Sequence, residues 1–279
     1  MSILLLTGAI DLRKYNVPFT SLVDFDIRIR QYLHSIEYAI DNYSTIDKIV
    51  FCENTCYNYD FSILSKKAQS KGKEFEFLTF QGNYDKIQKL GKGYGEGEII
   101  KHALEHSRLL GTESSFYKLT GRLIVKNMDL LIKTTHSGNA LIFKQKEISD
   151  RPANYFETYF YKVEIALYKR YLIEAYHFCN DNEHKHLEHV FYDELSALPL
   201  RSFKLPPLIS GMLGSTGELY DTNFKKSLIE KFYFAAGIYN FKKTIAEMIF
   251  LKIFVQFLNL KRFIGIKHTG IRLFRATDK

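Results

Sequence analysis

The segment Ser2-Ile-Leu-Leu-Leu-Thr-Gly-Ala-Ile10 indicates the fold class, because its apolar run is typical of a strand that is buried on both faces. No basic residue precedes the run, and no small-residue cleavage site follows it at the right distance. A secretory signal would carry both features. We therefore predict that this stretch is the first strand of a buried sheet.

Helical and strand patterns alternate after this strand. Residues 23–42 carry apolar side chains at helical spacing, and residues 47–52 are rich in β-forming side chains. Residues 61–70 are helical again, and residues 75–80 alternate as a strand. The order strand, helix, strand, helix, strand predicts an α/β fold with a mostly parallel, Rossmann-like sheet flanked by helices.

Further elements are predicted along the rest of the chain. They are a helix over 98–110, a fourth strand over 114–125, a short strand over 141–144, an aromatic-rich helix over 154–172, a helix over 186–195 and a turn-rich link over 205–217. The composition shifts near Thr222. We therefore divide the chain into a domain over 1–222 and a basic, amphipathic helical extension over 223–279.

The cysteines and the hydropathy indicate the compartment. The three cysteines, Cys52, Cys56 and Cys179, form no disulfide framework, which fits a reducing environment. The 46% hydrophobic composition can fill a core, but no run of about 18 uncharged apolar residues indicates a membrane-spanning helix. We expect a cytoplasmic protein, either free or peripheral on the inner face of the cell membrane.

The positive charge is concentrated in the C-terminal extension. The 279 residues carry a net charge of +8, and from Lys225 onward 12 Lys and Arg face 3 Asp and Glu, a net charge of +9. Residues 232–274 mix this charge with Phe, Ile and Leu, a pattern that suits a helix on an anionic membrane surface. A helix packed on the domain with a solvated basic rim explains the pattern equally well. RNA binding is a third option, but no nucleic-acid module is visible, so we expect no nucleic-acid partner.

The most unusual local feature is the run Gly91-Lys-Gly-Tyr-Gly-Glu-Gly97. Glycines at alternate positions let the backbone approach a ligand, and the following helix would offer unpaired N–H groups to a phosphate. The run lacks the Gly-Lys-Ser/Thr ending of a P-loop, and Glu96 stands where the dinucleotide fingerprint needs glycine. A flexible surface turn is the alternative.

A second feature, Lys118-Leu-Thr-Gly-Arg122, lies at the predicted fourth strand. Ligands of open α/β sheets bind beyond the carboxyl ends of the strands, where Arg122 would offer a bidentate fork to a diphosphate and Lys92 and Lys118 would add point charges. Two such features at neighbouring strands favour a phosphate site. The residues predicted to bind the diphosphate-bearing ligand, called the donor below, are Thr7, Gly8, Lys92, Gly93, Tyr94, Gly95, Glu96, Lys118, Thr120, Gly121 and Arg122.

These two motifs resemble the nucleotide-sugar half of GT-A glycosyltransferases, and in particular bacterial capsule and lipopolysaccharide glycosyltransferases. Leu187-Glu-His-Val-Phe-Tyr-Asp-Glu-Leu195 and Ile209-Ser-Gly-Met-Leu-Gly-Ser-Thr-Gly217 are similar to the same group. The resemblance covers roughly residues 2–220. It implies a GT-A-like fold and the transfer of a sugar from a nucleotide-sugar donor to a glycan or lipid-linked glycan acceptor.

The resemblance also implies site residues. Glu188 is the candidate catalytic base for the acceptor hydroxyl, and His189, Ser215 and Thr216 are candidate acceptor contacts. Glu96 and Glu98 are expected to contact sugar or ribose hydroxyls, or to favour the helix N-terminus. The rival hypothesis is a non-catalytic α/β binding or scaffolding protein with a basic membrane-docking tail.

The chain departs from the GT-A pattern at the metal site. Thr120-Gly121-Arg122 stands where these enzymes commonly carry Asp-x-Asp, and Asp24-Phe-Asp26 precedes the first helix as a capping or solvated feature. Cationic side chains would then replace a metal on the diphosphate, so no cofactor is expected to be required. The alternative is that a divalent cation, Mg²⁺ or Mn²⁺, binds the diphosphate.

Two histidine patterns offer weaker metal hypotheses. His102-Ala-Leu-Glu105-His106 matches the inverted zinc-protease motif, but no third ligand follows. His184, His186 and His189 could form a cluster near Asp181, although a polar loop that runs into a helix explains them more simply.

Overall fold

The computed structural model describes residues 2–13, 15, 17, 20, 23–135, 138–148, 151–212, 219–221, 231–234, 236–237, 239–241, 245, 248–249, 252–253 and 256. The strands are β1 (Ile3–Gly8), β2 (Lys48–Glu53), β3 (Glu74–Thr79), β4 (Ser115–Thr120), β5 (Leu123–Val125), β6 (Phe143–Ile148), β7 (Arg151–Phe156), β8 (Phe160–Glu164), β9 (Ile209–Met212) and β10 (Leu219–Asp221). The α-helices are α1 (Phe25–Asn42), α2 (Ser62–Ser70), α3 (Tyr84–Leu90), α4 (Lys92–His106), α5 (Met128–Thr134), α6 (Ile165–Tyr171) and α7 (Leu187–Leu195). Short 3-10 helices lie at Leu110–Thr112, Ala175–Phe178 and Asp181–Glu183.

The main sheet has five strands in the order β3-β2-β1-β4-β8. The first four run parallel, and β8 pairs antiparallel with β4 at one edge. The predicted mostly parallel α/β sheet is therefore confirmed. A three-stranded sheet, β10-β9-β5, and the hairpin β6-β7 accompany it.

Strand β1 lies in the middle of the five-stranded sheet, and helices cover both of its faces. Ile3 and Leu5 belong to the apolar cluster that contains residues of α4 and α7. Leu4 and Leu6 belong to the opposite cluster, with residues of α1 and α2. All four side chains are fully buried, as the unbroken apolar run predicted.

The chain order creates a crevice at the carboxyl edge of this sheet. From β1, the chain builds β2 and β3 on one side, with α1 and α2 on one face. It then returns through α4, on the other face, to form β4 on the opposite side of β1. Such a reversal of strand order leaves a crevice between the diverging connections, where open α/β sheets bind ligands.

Three predicted elements are wrong. The aromatic-rich segment over 154–172 is not one helix but contains β7, β8 and only the short α6. Residues 114–125 form two strands in different sheets, and the link over 205–217 contains β9. In β8, Phe160 packs on one face of the sheet and Tyr161 on the other, so aromatic side chains fill both clusters at strand spacing.

The glycine run is also different from its prediction. Helix α4 begins at Lys92 and not near Glu98, so Gly93, Gly95 and Gly97 lie inside a helix. A Cβ atom at Gly97 would lie 2.1 Å from Cβ of Tyr176. Only glycine lets this helix pass so close to its neighbour, so packing, rather than a flexible loop, accounts for the residue type.

Two remaining findings concern the helices. The Asp24 carboxylate accepts from the backbone N–H of Ile27 at 2.9 Å, so the predicted capping role at the start of α1 is confirmed.

Within the described residues, no helix has both the length and the hydropathy to cross a membrane. The division at residue 222 stays a prediction.

The Gly97 contact makes a stability prediction. Gly97→Ala should lower the free energy of unfolding by about 1–3 kcal/mol, because the new methyl group collides with Tyr176 in a packed core. Gly111→Ala is the matched control, since apart from its own local backbone no described residue has an atom within 4 Å of the position its Cβ would take. Urea denaturation measures both; equal stability of the two variants would contradict the packing account.

Candidate active site

A cleft opens at the carboxyl ends of β1 and β4, at the reversal of strand order. Its cavity measures about 130 Å³, and its lining includes Thr7 and Gly8 of β1 and Thr120 of β4. Ligand pockets in proteins usually measure about 300–1,000 Å³. The cleft would therefore enclose only part of a ligand as large as a nucleotide sugar.

Arg122 enters this cleft from the turn that follows β4. The turn is held against β1, since the N–H of Gly121 donates to the carbonyl oxygen of Thr7 at 2.8 Å. Arg122 is only 7% exposed, and its Nη1 donates to Oε1 of Gln31 at 3.2 Å. Its Nε is buried without a hydrogen-bond partner among the described residues. A buried donor left without an acceptor is costly, so this guanidinium is poised to bind one.

A second arginine lies beside it on α1. Nε of Arg28 donates to the carbonyl oxygen of Ala9 at 2.9 Å, and Nη2 donates to the Tyr32 hydroxyl at 3.2 Å. The guanidinium carbons of Arg28 and Arg122 each lie 5.9 Å from the Tyr32 ring centre. Burial lowers the pKa of Arg28, and the charge of Arg122 lowers it further. An anion in the cleft would relieve this repulsion.

Glu96 of α4 forms the acidic part of the cleft. Its Oε1 accepts from Nζ of Lys118, from the Thr7 hydroxyl at 3.3 Å and from the Thr120 hydroxyl at 3.5 Å. Its Oε2 makes no hydrogen bond to a residue that the structure describes. The carboxylate is therefore held by one oxygen, and the other is available to a hydroxyl group of a ligand.

Lys118 lies beneath the cleft and is fully buried. Besides Glu96, its ammonium donates to the carbonyl oxygen of Thr158 at 2.7 Å and to the Thr120 hydroxyl at 3.1 Å. All three of its N–H groups thus have acceptors within the protein. This placement gives Lys118 the role of holding Glu96, whereas its predicted contact with a diphosphate stays a prediction.

The N-terminus of α4 already has an anion of its own. A carboxylate oxygen of Asp181 accepts from the N–H of Gly93 at 3.2 Å, and the other oxygen lies 2.8 Å from Nδ1 of His186. Tyr94 packs edge-on against the Tyr176 ring, with 4.9 Å between centroids. The first turn of α4 is therefore capped by the Asp181 carboxylate, and its glycine run is helical and not a phosphate-binding loop.

Glu188, the candidate base, is connected through Thr158 to Lys118 but does not line the described cleft. The Thr158 hydroxyl donates to its Oε1 at 2.7 Å, and Thr158 also accepts from Lys118. Burial raises the pKa of Glu188 above its ordinary value of 4.5; the Thr158 bond lowers it in part, and the charge of Glu96 raises it. A carboxyl with a raised pKa suits a general base.

The other acceptor candidates are only partly described. Nδ1 of His189 accepts from the N–H of His186 at 3.3 Å, and the two imidazole rings stack with centroids 5.6 Å apart. Burial lowers the pKa of His189, and the charge of His186 lowers it further. Ser215 and Thr216 lie outside the described residues.

The structure brings most of the predicted donor residues to one place. Those that line the cleft are Thr7, Gly8, Lys92, Gly95, Glu96, Thr120 and Arg122. Gly93, Tyr94, Lys118 and Gly121 lie next to it without lining it. The sequence analysis expected β3 and β4 to be neighbouring strands, and this is wrong because β2 and β1 lie between them. Helix α4 crosses the sheet and brings Glu96 to β4.

The lining residues that the sequence did not predict include three polar ones, Arg28, Tyr32 and Asn54. Asn54 follows the carboxyl end of β2, a position that the strand pattern marks. Arg28 and Tyr32 are four residues apart on α1, so they lie on the same face. An arginine on the apolar face of a helix was the signal that could have found them.

The histidine patterns do not assemble a metal centre in the described part of the chain. The His102 ring stacks between Phe80 and His106, with both centroids 4.1 Å away. Among the described residues, no group of three or more His, Cys, Asp or Glu side chains is placed to hold a metal ion.

Known proteins give limited comparisons. No protein-family model and no curated protein matches the chain. It is similar to the nucleoside-diphosphate-sugar pyrophosphorylase from Vibrio cholerae RC9, with 17% identity over 69% of this chain and 86% of the other, at a TM-score of 0.40. It is also similar to a structure provisionally named a glucose-1-phosphate thymidylyltransferase, from Bacillus anthracis, with 10% identity over 88% and 98% of the two chains and a TM-score of 0.42. HddC from Yersinia pseudotuberculosis is 14% identical over 61% and 79%, with a TM-score of 0.28. At such scores the function must be inferred from the cleft itself.

A double-mutant cycle on Lys118 and Glu96 tests their coupling. Lys118→Met should destabilise the protein by about 3 kcal/mol, because it leaves the Glu96 carboxylate without its cation. We expect a coupling energy with Glu96→Gln of at least about 1 kcal/mol in urea denaturation. The exposed pair Lys67 and Asp41, at 2.7 Å, is the control and should give less than about 1 kcal/mol. Equal coupling in the two pairs would show that Lys118 does not hold Glu96.

The raised pKa of Glu188 makes stability depend on pH. Its protonated form is favoured by folding, so its contribution is complete below about pH 4.5 and is lost as the pH rises through the folded-state pKa. Glu188→Gln keeps an acceptor for Thr158 but does not titrate. We expect the stability of this variant relative to the wild type to increase between about pH 4 and pH 8. Exposed Glu105→Gln is the control; a pH-independent difference for Glu188→Gln would disprove the effect of burial.

Proposed function

We propose that the chain is a glycosyltransferase that takes a sugar from a nucleotide-sugar donor bound in this cleft and passes it to a surface-glycan acceptor of the capsule or lipopolysaccharide kind. The observation that carries the proposal is Arg122, whose buried Nε lacks a hydrogen-bond partner among the described residues. It lies at the edge of the sheet where α/β folds bind ligands. A diphosphate is an anion that matches the planar fork of this side chain.

Charge complementarity supports a donor with a diphosphate. Arg122, Arg28 and Lys92 line the cleft, and the negative charge of Glu96 is offset by Lys118. The net positive potential would stabilise the leaving diphosphate as the sugar departs. Oε2 of Glu96 would accept from a hydroxyl of the ribose or of the sugar.

The acceptor side of the proposal rests on Glu188. The acceptor oxygen would form a bond to the anomeric carbon, while the bond from that carbon to the diphosphate oxygen breaks and its electron pair leaves with the nucleoside diphosphate. Glu188 would take the acceptor proton. His189, Ser215 and Thr216 remain the proposed acceptor contacts. The acceptor would have to extend from the cleft towards α7.

We also propose that transfer needs no metal. A bound Mg²⁺ or Mn²⁺ takes mainly oxygen ligands, and the described lining of the cleft offers one carboxylate, Glu96, whose Oε1 is engaged by Lys118. Arginine and lysine would neutralise the diphosphate instead. Activity that persists in excess chelator is the expected result, and complete loss of activity would contradict this part of the proposal.

Ligand binding tests the site directly. In calorimetric titration, one or more nucleoside diphosphates or their sugars should bind, and Arg122→Ala should weaken binding about 10- to 100-fold, as expected for lost hydrogen bonds to a charged group. Arg122→Lys keeps the charge without the fork and should fall in between. Arg108→Ala, whose partner Glu74 begins β3 at the opposite edge of the sheet, is the control and should bind as the wild type does.

Product analysis then decides the reaction. Release of a nucleoside diphosphate from the donor supports glycosyl transfer, whereas formation of a nucleoside triphosphate from the donor and pyrophosphate would assign nucleotidyl transfer instead. Binding without turnover would favour the non-catalytic alternative. If no nucleotide or nucleotide sugar binds, the proposed function is wrong.

A further inference from the structure

A row of apolar side chains is exposed near the C-terminal end of the described residues. Ile245, Met248, Ile249 and Ile253 are helical, and their side chains are between 46% and 73% exposed. Their spacings of three, one and four residues are those of side chains that share one side of a helix. We call these four residues the apolar face. Exposed apolar side chains at these spacings mark an interaction site.

Two described aromatic residues that precede the apolar face, Phe234 and Phe241, are packed against the domain. Phe234 is buried in the cluster on the α1 side of the sheet, and the Phe241 ring lies 5.1 Å from that of Phe143. Phe234 and Phe241 of the extension thus pack on the domain, whereas four of the described residues beyond Phe241 have large apolar side chains that are exposed to solvent. Of the two options that the sequence left open, these residues favour a helix that is not packed on the domain.

Charge identifies the partner of the apolar face. Lys252, which precedes Ile253, is also helical and exposed, and residues 225–279 carry a net charge of +9. Cores of protein interfaces are depleted in lysine, and two copies of so basic a segment repel each other. A helix that combines large apolar side chains with lysines is typical of one that lies in the surface of an anionic bilayer.

We propose that the apolar face inserts into the surface of a membrane that contains anionic phospholipid, with Lys252 at the headgroups. The helix lies in the plane of the bilayer surface and does not cross it. This attachment is independent of the donor cleft and of the proposed reaction. It would hold the cleft close to an acceptor that is itself anchored in lipid.

Co-sedimentation of the full chain with vesicles tests the attachment. The chain should bind vesicles of phosphatidylcholine mixed in equal parts with phosphatidylglycerol, and bind vesicles of phosphatidylcholine alone much more weakly. Ile249→Asp and, separately, Ile245→Asp should each reduce binding at least about tenfold, because each removes a large apolar side chain from the interface. Ile63→Asp on α2 is the control, since Ile63 is 74% exposed outside the extension, and it should bind as the wild type does.

Circular dichroism and thermal melting should show the same fold in all three variants. Absence of binding to the mixed vesicles would overturn the proposal. Undiminished binding of both extension variants would also overturn it, because attachment would then be electrostatic only. A wild-type dimer in light scattering that Ile249→Asp dissociates, without vesicle binding, would assign the apolar face to a second copy of the chain.

Discussion

The contact between Lys118 and Glu96 is the interaction on which the rest of the site depends. It joins the buried centre of β4 to α4, which crosses the sheet from the β3 side. The same ammonium holds the carbonyl oxygen of Thr158, whose hydroxyl binds Glu188. One buried cation thereby fixes a carboxylate in the cleft and links it to the candidate base. Desolvating a lysine is costly, and the three acceptors around it offset that cost.

The second constraint is the close approach of α4 to its neighbours. A Cβ at Gly91 would lie 2.3 Å from Asp181, just as one at Gly97 would collide with Tyr176. The backbone of Gly91 has φ of +102°, which also favours glycine. The helix therefore starts against Asp181, and its next turn delivers Glu96 to Lys118. The glycines of the predicted phosphate loop instead let α4 pack closely against its neighbours and line the cleft.

The strand and helix patterns of the first 80 residues predicted the sheet well, because β1 is apolar throughout and α1 has clear helical periodicity. The sequence patterns could not show whether the glycine run is a loop or a helix, because glycine occurs both in loops and where two elements pack closely. The neighbouring side chains, which the sequence does not reveal, determine which of the two applies. The segment over 154–172 was misjudged because its aromatic residues fill a strand edge as readily as a helix face. Arg122 was found from its position after a strand, whereas Arg28 was missed because its role depends on contacts between α1 and the end of β1.

Arg122 is the side chain that we propose binds the diphosphate of a nucleotide ligand. The most direct measurement compares a nucleoside diphosphate with the matching monophosphate, by calorimetric titration of the wild type and of Arg122→Ala. We expect the wild type to gain affinity from the second phosphate and Arg122→Ala to lose most of this gain. Equal losses for both nucleotides would contradict this expectation, because Arg122 would then contact a part of the ligand other than the second phosphate.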